Sequence, residues 1–327
     1  MTKFPKPVVV VSACLEFEKV RYDGQVIPCK IVRDREPFVE CIKVCPEFAI
    51  GLGVPRDPIR IVKIGGEKRL IQPKTKEDIT EKMNSFTTGF IKSLPEVDGF
   101  IFKSKSPTIG LRDIKVYAGI EKSQVIERSS GFFADQILQA FPDYPMEEDD
   151  RLRNATIRDN FLVELFAFAD FRQTKYKHSS EALREFHENN RFLFGSYSTE
   201  LLTELDTLLK DKKDIETVLG EYSAVLKKLL TQHPRSDSRI HAVLQIFNRF
   251  SEKVSNKEQT FFASVIEEYK QNKICFLGLL EILKSYALRF EDEYIENQTL
   301  LEPYPKELEL MVTVEPDRER DYWKSEY

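Results

Sequence analysis

Three short stretches bring together residue types that can do chemistry: Ser12-Ala13-Cys14, Cys45-Pro46-Glu47 and Ser106-Pro107-Thr108. A thiol can ligate a metal or attack a carbon, and a carboxylate two residues away can carry a proton during hydrolysis. Three readings of such a set are open. A structural zinc site usually shows paired cysteines a few residues apart; Cys41 and Cys45 fit that spacing loosely, but no second pair exists. A cysteine nucleophile calls for a histidine in the same domain, and all four histidines lie in the second half of the chain. The third reading is an iron–sulfur cluster held by dispersed cysteines, with one iron open to a sulfur-bearing substrate.

These residues matter together only if the chain brings them to one place. Pro7 to Ala13 is a β-branched run of the kind buried in a parallel sheet and ends next to Cys14. Phe38 to Val44 alternates as a half-buried strand and ends at Cys45. Asp98 to Phe102 is a third buried strand and leads into Ser106 and Thr108. Strands joined by right-handed crossovers run the same way, so their carboxyl ends meet at the edge where open α/β sheets bind ligands. Gly65-Gly66 predicts a hairpin, and it lacks the spacing of a phosphate loop. Ile79, Met83, Phe86, Phe90 and Leu94 predict a helix between Thr75 and Leu94, with Thr75 or Thr80 as its cap.

The character changes near Lys122. Gly131 opens a helix toward Phe141, and Pro142 to Asp150 reads as an acidic connector. From Asn160 to Arg289 the pattern is helical, with core stripes at Leu201/Leu205/Leu208/Leu209, Phe262/Val265/Ile266/Tyr269 and Leu279/Ile282/Leu283/Tyr286. The expected architecture is a Rossmann-like, mostly parallel α/β domain over 1–150, followed by an all-α helical bundle over 151–327. Two basic groups stand out in the bundle: Lys175, Lys177, His178, Arg184 and Arg191, then Lys227, Lys228, His233, Arg235, Arg239 and His241. Most such groups are solvated faces, and the other use for them is an RNA backbone.

With 327 residues the chain has room for two ordinary domains. Five cysteines form no disulfide framework and point to a reducing cytoplasm, and the net charge of −5 excludes a globally basic nucleic-acid binder. No apolar run is long enough for a bilayer and no signal peptide precedes the first strand.

Several ordered motifs make the chain similar to a known family. Ser12-Ala13-Cys14-Leu15, Arg21-Tyr22-Asp23-Gly24, Cys45-Pro46-Glu47, Gly51 to Arg56 and Ser106 to Gly110 resemble the thiouracil desulfurase family. Glu185-Phe186-His187, Gln298 and Pro303 to Leu308 resemble the YbgA-type helical domain, and the fusion is similar to the tRNA 4-thiouridine desulfidases. The resemblance implies a four-iron, four-sulfur cluster held by three cysteines. By motif, Cys14 and Cys45 are ligands, Glu47 is the acid/base group and Ser106 orients substrate or water. The implied substrate is a thiolated nucleobase, free or as 4-thiouridine in tRNA.

The chain departs from the family at one place. The third ligand position of the resemblance is occupied here by Ile109, whose side chain cannot bind iron. Cys29, in the connection after Asp23-Gly24, is the candidate replacement, ahead of Cys41; Cys275 reads as a core residue. The alternative to a desulfidase is a cluster-free nucleobase- or RNA-binding member, with a zinc-stabilised binding module as a further possibility.

Overall fold

The computed structural model of the chain describes residues 4–121 and 123–308. It divides into two compact units, Lys6–Leu165 and Phe166–Lys306, the latter including Phe4 and Pro5. Residues 309–327 of the expected helical domain lie outside the described residues.

The first unit is built on a four-stranded, all-parallel sheet whose strands lie in the order Glu40–Val44, Val8–Ser12, Gly99–Phe102, Met146–Glu148. Strand β1 is Val8–Ser12, followed by the short helix α1, Lys30–Arg33. Strand β2, Glu40–Val44, runs into one helical turn, α2, Pro46–Ala49. Every residue of β1 is buried, as a run of four valines requires when both faces of a sheet are covered. Its alternate residues feed two cores. Val8 and Val10 pack with Val44, Phe100, Phe102 and Ile109, whereas Val9 and Val11 pack with Leu15, Cys29 and Ile101.

A second sheet follows the expected hairpin. Strand β3, Arg60–Ile64, pairs antiparallel with β4, Glu67–Gln72, across Gly65 and Gly66, both in the left-handed region. Strand β5, Glu77–Asp78, adds to its edge, and helix α3 runs Thr80–Ser93. That helix starts where the apolar spacing begins, with Ile79 at its N-cap. Neither threonine caps it, because Thr80 Oγ1 accepts the Leu70 N–H at 2.8 Å and Thr75 bonds Gln72. After β6, Gly99–Phe102, come β7, Ile114–Tyr117, and β8, Val125–Ser129, which complete the second sheet in the order β5-β4-β3-β7-β8. Helix α4, Phe132–Ala140, and β9, Met146–Glu148, close the unit. The stretch read as a connector therefore contains a strand. Its acidic residues masked that role: Glu148, at the end of β9, is buried and accepts the Leu111 N–H at 2.8 Å.

Helix α5, Ala155–Tyr176, begins the helical run. The others are α6 (Ser180–Tyr197), α7 (Thr199–Leu208), α8 (Ile215–Leu230), α9 (Ser236–Asn248), α10 (Asn256–Lys270), α11 (Phe276–Phe290) and the short α12 (Glu293–Glu296). Side-chain caps set several starts: Ser179, Ser198 and Asp214 each accept a backbone N–H three residues on, and Ser255 with Glu258 forms a capping box. Leu201, Leu205, Phe262, Val265, Ile266, Leu279, Leu283 and Tyr286 are buried, so the stripes are core faces. Cys275 is exposed at the start of α11, not in the core, because the helix begins one residue after it. Among the described residues no helix is long and apolar enough to cross a membrane. The fold is an α/β domain followed by a helical one.

Candidate functional site

The register of the parallel sheet explains how the motif residues meet. Ser12 lies opposite Val44, Val11 opposite Ile101 and Phe102 opposite Glu148, so all four strands finish at one edge. Beyond that edge is a cavity of about 390 Å³ whose walls include Cys14, Cys45, Glu47, Arg56, Lys103, Ser106 and Ile109. The convergence expected at the strand ends is present, and Thr108 joins it through Glu47 and Ser106.

Glu47 is the hub. Pro46 starts α2 directly after the strand, and Cys45 holds extended dihedrals at its N-cap, so Glu47 is turned back over the end of the sheet. Glu47 is 9% exposed, and both its carboxylate oxygens are engaged. Oε1 accepts from the Thr108 hydroxyl and, at 3.4 Å, from Ser106 Oγ. Oε2 accepts from the Cys45 thiol at 3.4 Å and faces the Arg56 guanidinium at 3.7 Å. Arg56 is fixed in turn by donating to the carbonyls of Val20 at 2.8 Å and Gly53 at 3.1 Å. Gly51 and Gly53 adopt φ of +85° and +69°, which allows the loop to fold back so that Arg56 reaches the carboxylate.

Both cavity thiols are held protonated. Burial raises Cys14 to about 11, with the Glu47 charge adding to it and Lys103 opposing. Burial and the same carboxylate raise Cys45 to about 12, against a smaller opposing effect of Arg56. Lys103 is braced by the buried Asp149 carboxylate at 2.9 Å, and Asp149 also accepts the Ser104 N–H at 2.8 Å. The Lys103 N–H donates to Ser12 Oγ at 2.9 Å, tying the end of β6 to the end of β1.

The loop carrying Ser106 and Thr108 is moulded by the start of α4. The N–H groups of Phe133 and Ala134 both donate to the Thr108 carbonyl, at 2.9 and 3.0 Å, and Gly131 N–H donates to Gly110 O at 2.8 Å. A Cβ on Gly131 would lie 2.5 Å from the Thr108 carbonyl carbon, and one on Gly110 would lie 2.8 Å from Ser106 O. Ile109, held in this loop, is 4% exposed and packs into the core beneath while forming part of the cavity wall.

The structure does not bring Cys29 to the cavity. It is buried in the core on the opposite face of β1, at the N-cap of α1, among Val9, Val11 and Leu15. The alternation of β1 separates that core from the one holding Ile109. Cys41 packs against the same distant core. The cavity therefore has two thiols, where the resemblance implies a three-thiolate cluster. Among the described residues no group of three or more His, Cys, Asp or Glu is arranged to hold a metal ion. With an isoleucine in the third place, the two thiols of this cavity fall short of the donor set that such a cluster needs.

Arg56 and Lys103 are the site residues that the spacing of thiols and carboxylates missed. Arg56 ends the motif Gly51 to Arg56, but its role depends on Gly51 and Gly53 folding the loop back, which residue types alone do not show. Lys103 had a visible signal: it follows a buried strand directly, at the ligand-binding edge.

Comparison with known proteins agrees with this architecture. Residues 9–149 match the 2-thiouracil desulfurase family, and residues 191–305 match a family described as a protein of unknown function, DUF1722. A solved structure of a [4Fe-4S]-dependent thiouracil desulfidase, TudS, is 23% identical and covers 45% of this chain and 94% of its own, with a TM-score of 0.36. At that level the likeness bears on neither cofactor nor substrate. Segregation and condensation protein A of Lactococcus lactis subsp. lactis (strain IL1403) is 24% identical over 136 residues, 39% of this chain and 55% of that protein. Its counterpart in Lactococcus lactis subsp. cremoris (strain SK11) is 25% identical over 138 residues. The chain spans about half the length of these curated relatives. From its matches and its two-part fold, the chain joins a domain of the 2-thiouracil desulfurase family to a DUF1722 domain.

Proposed function

We propose that the α/β domain takes a thiolated uracil into the cavity at the strand ends and replaces its sulfur by oxygen from water. The observation that carries this is Glu47, a nearly buried carboxylate in the wall of a cavity that also presents Cys14, Cys45, Ser106 and Arg56. The volume falls within the range of about 300–1,000 Å³ usual for small-molecule sites. Protonated thiols suit the substrate's thiocarbonyl sulfur, to which an S–H can donate without adding charge. In the reaction, water forms a bond to the sulfur-bearing carbon as Glu47 accepts its proton. The carbon–sulfur bond then breaks as the attacking oxygen becomes the carbonyl; the departing sulfur takes one proton back from Glu47 and the second from the new hydroxyl, so uracil and hydrogen sulfide are the products. Ser106, near Glu47 Oε1 and able to turn toward the cavity, orients the water or the base.

With two thiols, the donor set carries no step through an iron–sulfur cluster. The finer reading of the substrate is 4-thiouridine in tRNA. It is supported by the exposed basic residues of the helical unit, Lys228, His233 and Arg235 among them. Arg191 is less available for that role, because it pairs with Asp206 at 2.7 Å. A cytoplasmic setting suits five cysteines that are all free. A second reading, binding without turnover, is favoured by one observation: Ile109 stands where the resemblance places a cluster ligand.

The test is anaerobic incubation of the full chain with 4-thiouracil, following loss of the thiocarbonyl absorbance, with iron and acid-labile sulfide measured on the same preparation. Consumption of the thiobase supports the reading. Saturable binding without consumption leaves the second reading in its place, and absence of both rejects the pair. Salt titration of tRNA binding by the parent and by a Lys228→Glu, Arg235→Glu variant tests the finer substrate.

A further inference from the structure

Four cationic side chains line the strand-end cavity: Arg21, Arg56, Lys103 and Lys105. Three are accounted for by their surroundings. Arg21 pairs with Asp23 at 3.2 Å, and the Arg56 guanidinium is engaged by the Val20 and Gly53 carbonyls and by Glu47. Lys105 is exposed, where water and salt screen it. Lys103 is different. It follows β6 directly, its side chain is 24% exposed, and its ammonium is held by Asp149 and by Ser104 Oγ, each at 2.9 Å. Asp149 is buried and fixed in turn: it accepts the Ser104 N–H at 2.8 Å, and its own N–H donates to Phe102 O at 3.0 Å. Lys103 is part of the cavity wall and Asp149 is not, so this ion pair presents its positive member to the ligand space.

The register of the sheet sets that cation beside Cys14. Strands β1 and β6 run parallel with Val11 opposite Ile101, and the Lys103 N–H donates to Ser12 Oγ at 2.9 Å. The lysine therefore leaves the sheet next to the turn, closed by Leu15 N–H to Ser12 O at 2.9 Å, that carries Cys14. At the Cys14 thiol the ammonium outweighs its own counterion, whereas the cation acting on Cys45 is Arg56. The cavity thus has two chemically distinct ends. One holds Glu47 with the hydroxyls of Ser106 and Thr108, and the other holds a fixed cation beside a polarisable thiol. Addition of water to a thiocarbonyl carbon neutralises the base that takes the proton and moves negative charge onto the sulfur. A cation already in place where that charge arrives stabilises it without reorganisation.

We propose that the Cys14–Lys103 end of the cavity is a site for an anionic sulfur atom, and that the thiobase enters with its thiocarbonyl at that end and its reacting carbon toward Glu47. The identity of the thiobase rests on the proposed function; the preference for anionic sulfur rests on the ammonium and the thiol. Lys103 stays protonated throughout and no electron is transferred. The two protons of the released sulfide come from water, by way of Glu47 and the new hydroxyl.

The probe is thiocyanate, a monovalent anion that ends in sulfur, titrated anaerobically into the full chain. Its site is read by mass spectrometry as protection of Cys14 from iodoacetamide, with the exposed Cys275 as internal reference. Thiocyanate should bind saturably and slow alkylation of Cys14 while leaving Cys275 unchanged. A Lys103→Met, Asp149→Asn variant removes both members of the ion pair, so no carboxylate is left buried and unpaired. It should bind thiocyanate on the order of tenfold more weakly. Its kcat for 4-thiouracil should fall on the order of a hundredfold, with KM changed much less. The inference is overturned if the parent shows no saturable binding, if Cys14 gains no protection, or if the double variant keeps the parent's affinity. Should the double variant not fold, protection of Cys14 in the parent decides alone. A parent that binds thiocyanate at Cys14 but consumes no thiobase keeps the anion site and loses the proposed function. One that consumes the thiobase without protection of Cys14 keeps the function and loses the site.

Discussion

The two loops that meet at Glu47 are held in opposite ways. The loop from Cys45 to Arg56 is fixed largely by the side chains that form the site: Arg56 ties it to Val20 and Gly53 and faces Glu47, and Cys45 bonds the same carboxylate. The loop from Lys103 to Gly110 is fixed mainly through backbone, by Gly110 N–H to Ser106 O and by α4 N–H groups to Thr108 O. In the first loop shape and chemistry depend on the same side chains. In the second a side chain can be exchanged while the loop keeps its course, so the thiol expected there can give way to Ile109 without loss of fold.

The largest effect should come from the first loop. Glu47→Gln keeps the size and one acceptor oxygen but removes the charge and the group that accepts water's proton. Turnover of 4-thiouracil should fall by about a hundredfold or more, with the thermal unfolding midpoint little changed and base affinity retained. A variant that turns over as the parent does would take Glu47 out of the reaction. Loss of the fold would make the carboxylate structural and would remove the contrast between the two loops.

In the second loop the sensitive position is outside it. Gly131→Ala would drive a methyl group into the Thr108 carbonyl, 2.5 Å away, and backbone must move. Overpacking of this kind costs about 1–3 kcal/mol, and the displaced Thr108 and Ser106 should weaken thiobase binding as well. Gly220→Ala is the matched control. It lies inside α8 with nothing within 4 Å of a new Cβ, so it should stabilise by up to about 1 kcal/mol. Equal melting shifts in the two variants would mean that Gly131 does not mould the loop.

How much of this was legible beforehand follows the same division. The buried strands announced themselves by β-branched runs, and their common direction followed from crossover handedness, so the meeting of Cys14, Cys45, Glu47 and Ser106 could be read from residue types. The strand at Met146–Glu148 could not, because its acidic composition hid a three-residue ladder partner of β6. Cys29 illustrates a different limit. Its connection was unplaced, and only the alternation of β1 shows that it belongs to the core opposite Ile109. Arg56 acquires its role from two left-handed glycines, a three-dimensional effect without a compositional mark.

A smaller effect should appear with pH. Cys14 and Cys45 are raised to about 11 and about 12, so the folded chain keeps protons that the unfolded chain releases nearer 9. Their contribution is complete below pH 9 and is lost as pH rises through the folded values. The unfolding midpoint should therefore decline between about pH 9 and pH 11. Replacing both thiols by serine should flatten that part of the profile. Alkylation at pH 8 should mark the exposed Cys275 before either cavity thiol.

The sharpest test of the comparison is Ile109→Cys. Ile109 packs into the core shared by Val10, Phe102 and Phe133 while also reaching the cavity wall. Shortening it removes part of that packing, for about 1 kcal/mol or somewhat more. The backbone bonds that hold the loop do not involve the side chain, so the new thiol should stand in the same wall as Cys14 and Cys45. Three thiols around one cavity satisfy a cluster's donor count where two do not. After anaerobic reconstitution, iron and acid-labile sulfide per chain should rise clearly above the parent in Ile109→Cys and stay at the parental level in Cys29→Ser, since Cys29 lies in the other core. A parent already filled to one cluster per chain, whether or not Cys29→Ser empties it, would show that a third ligand reaches the site by another route. The independence of shape and chemistry in the second loop would then no longer explain its isoleucine.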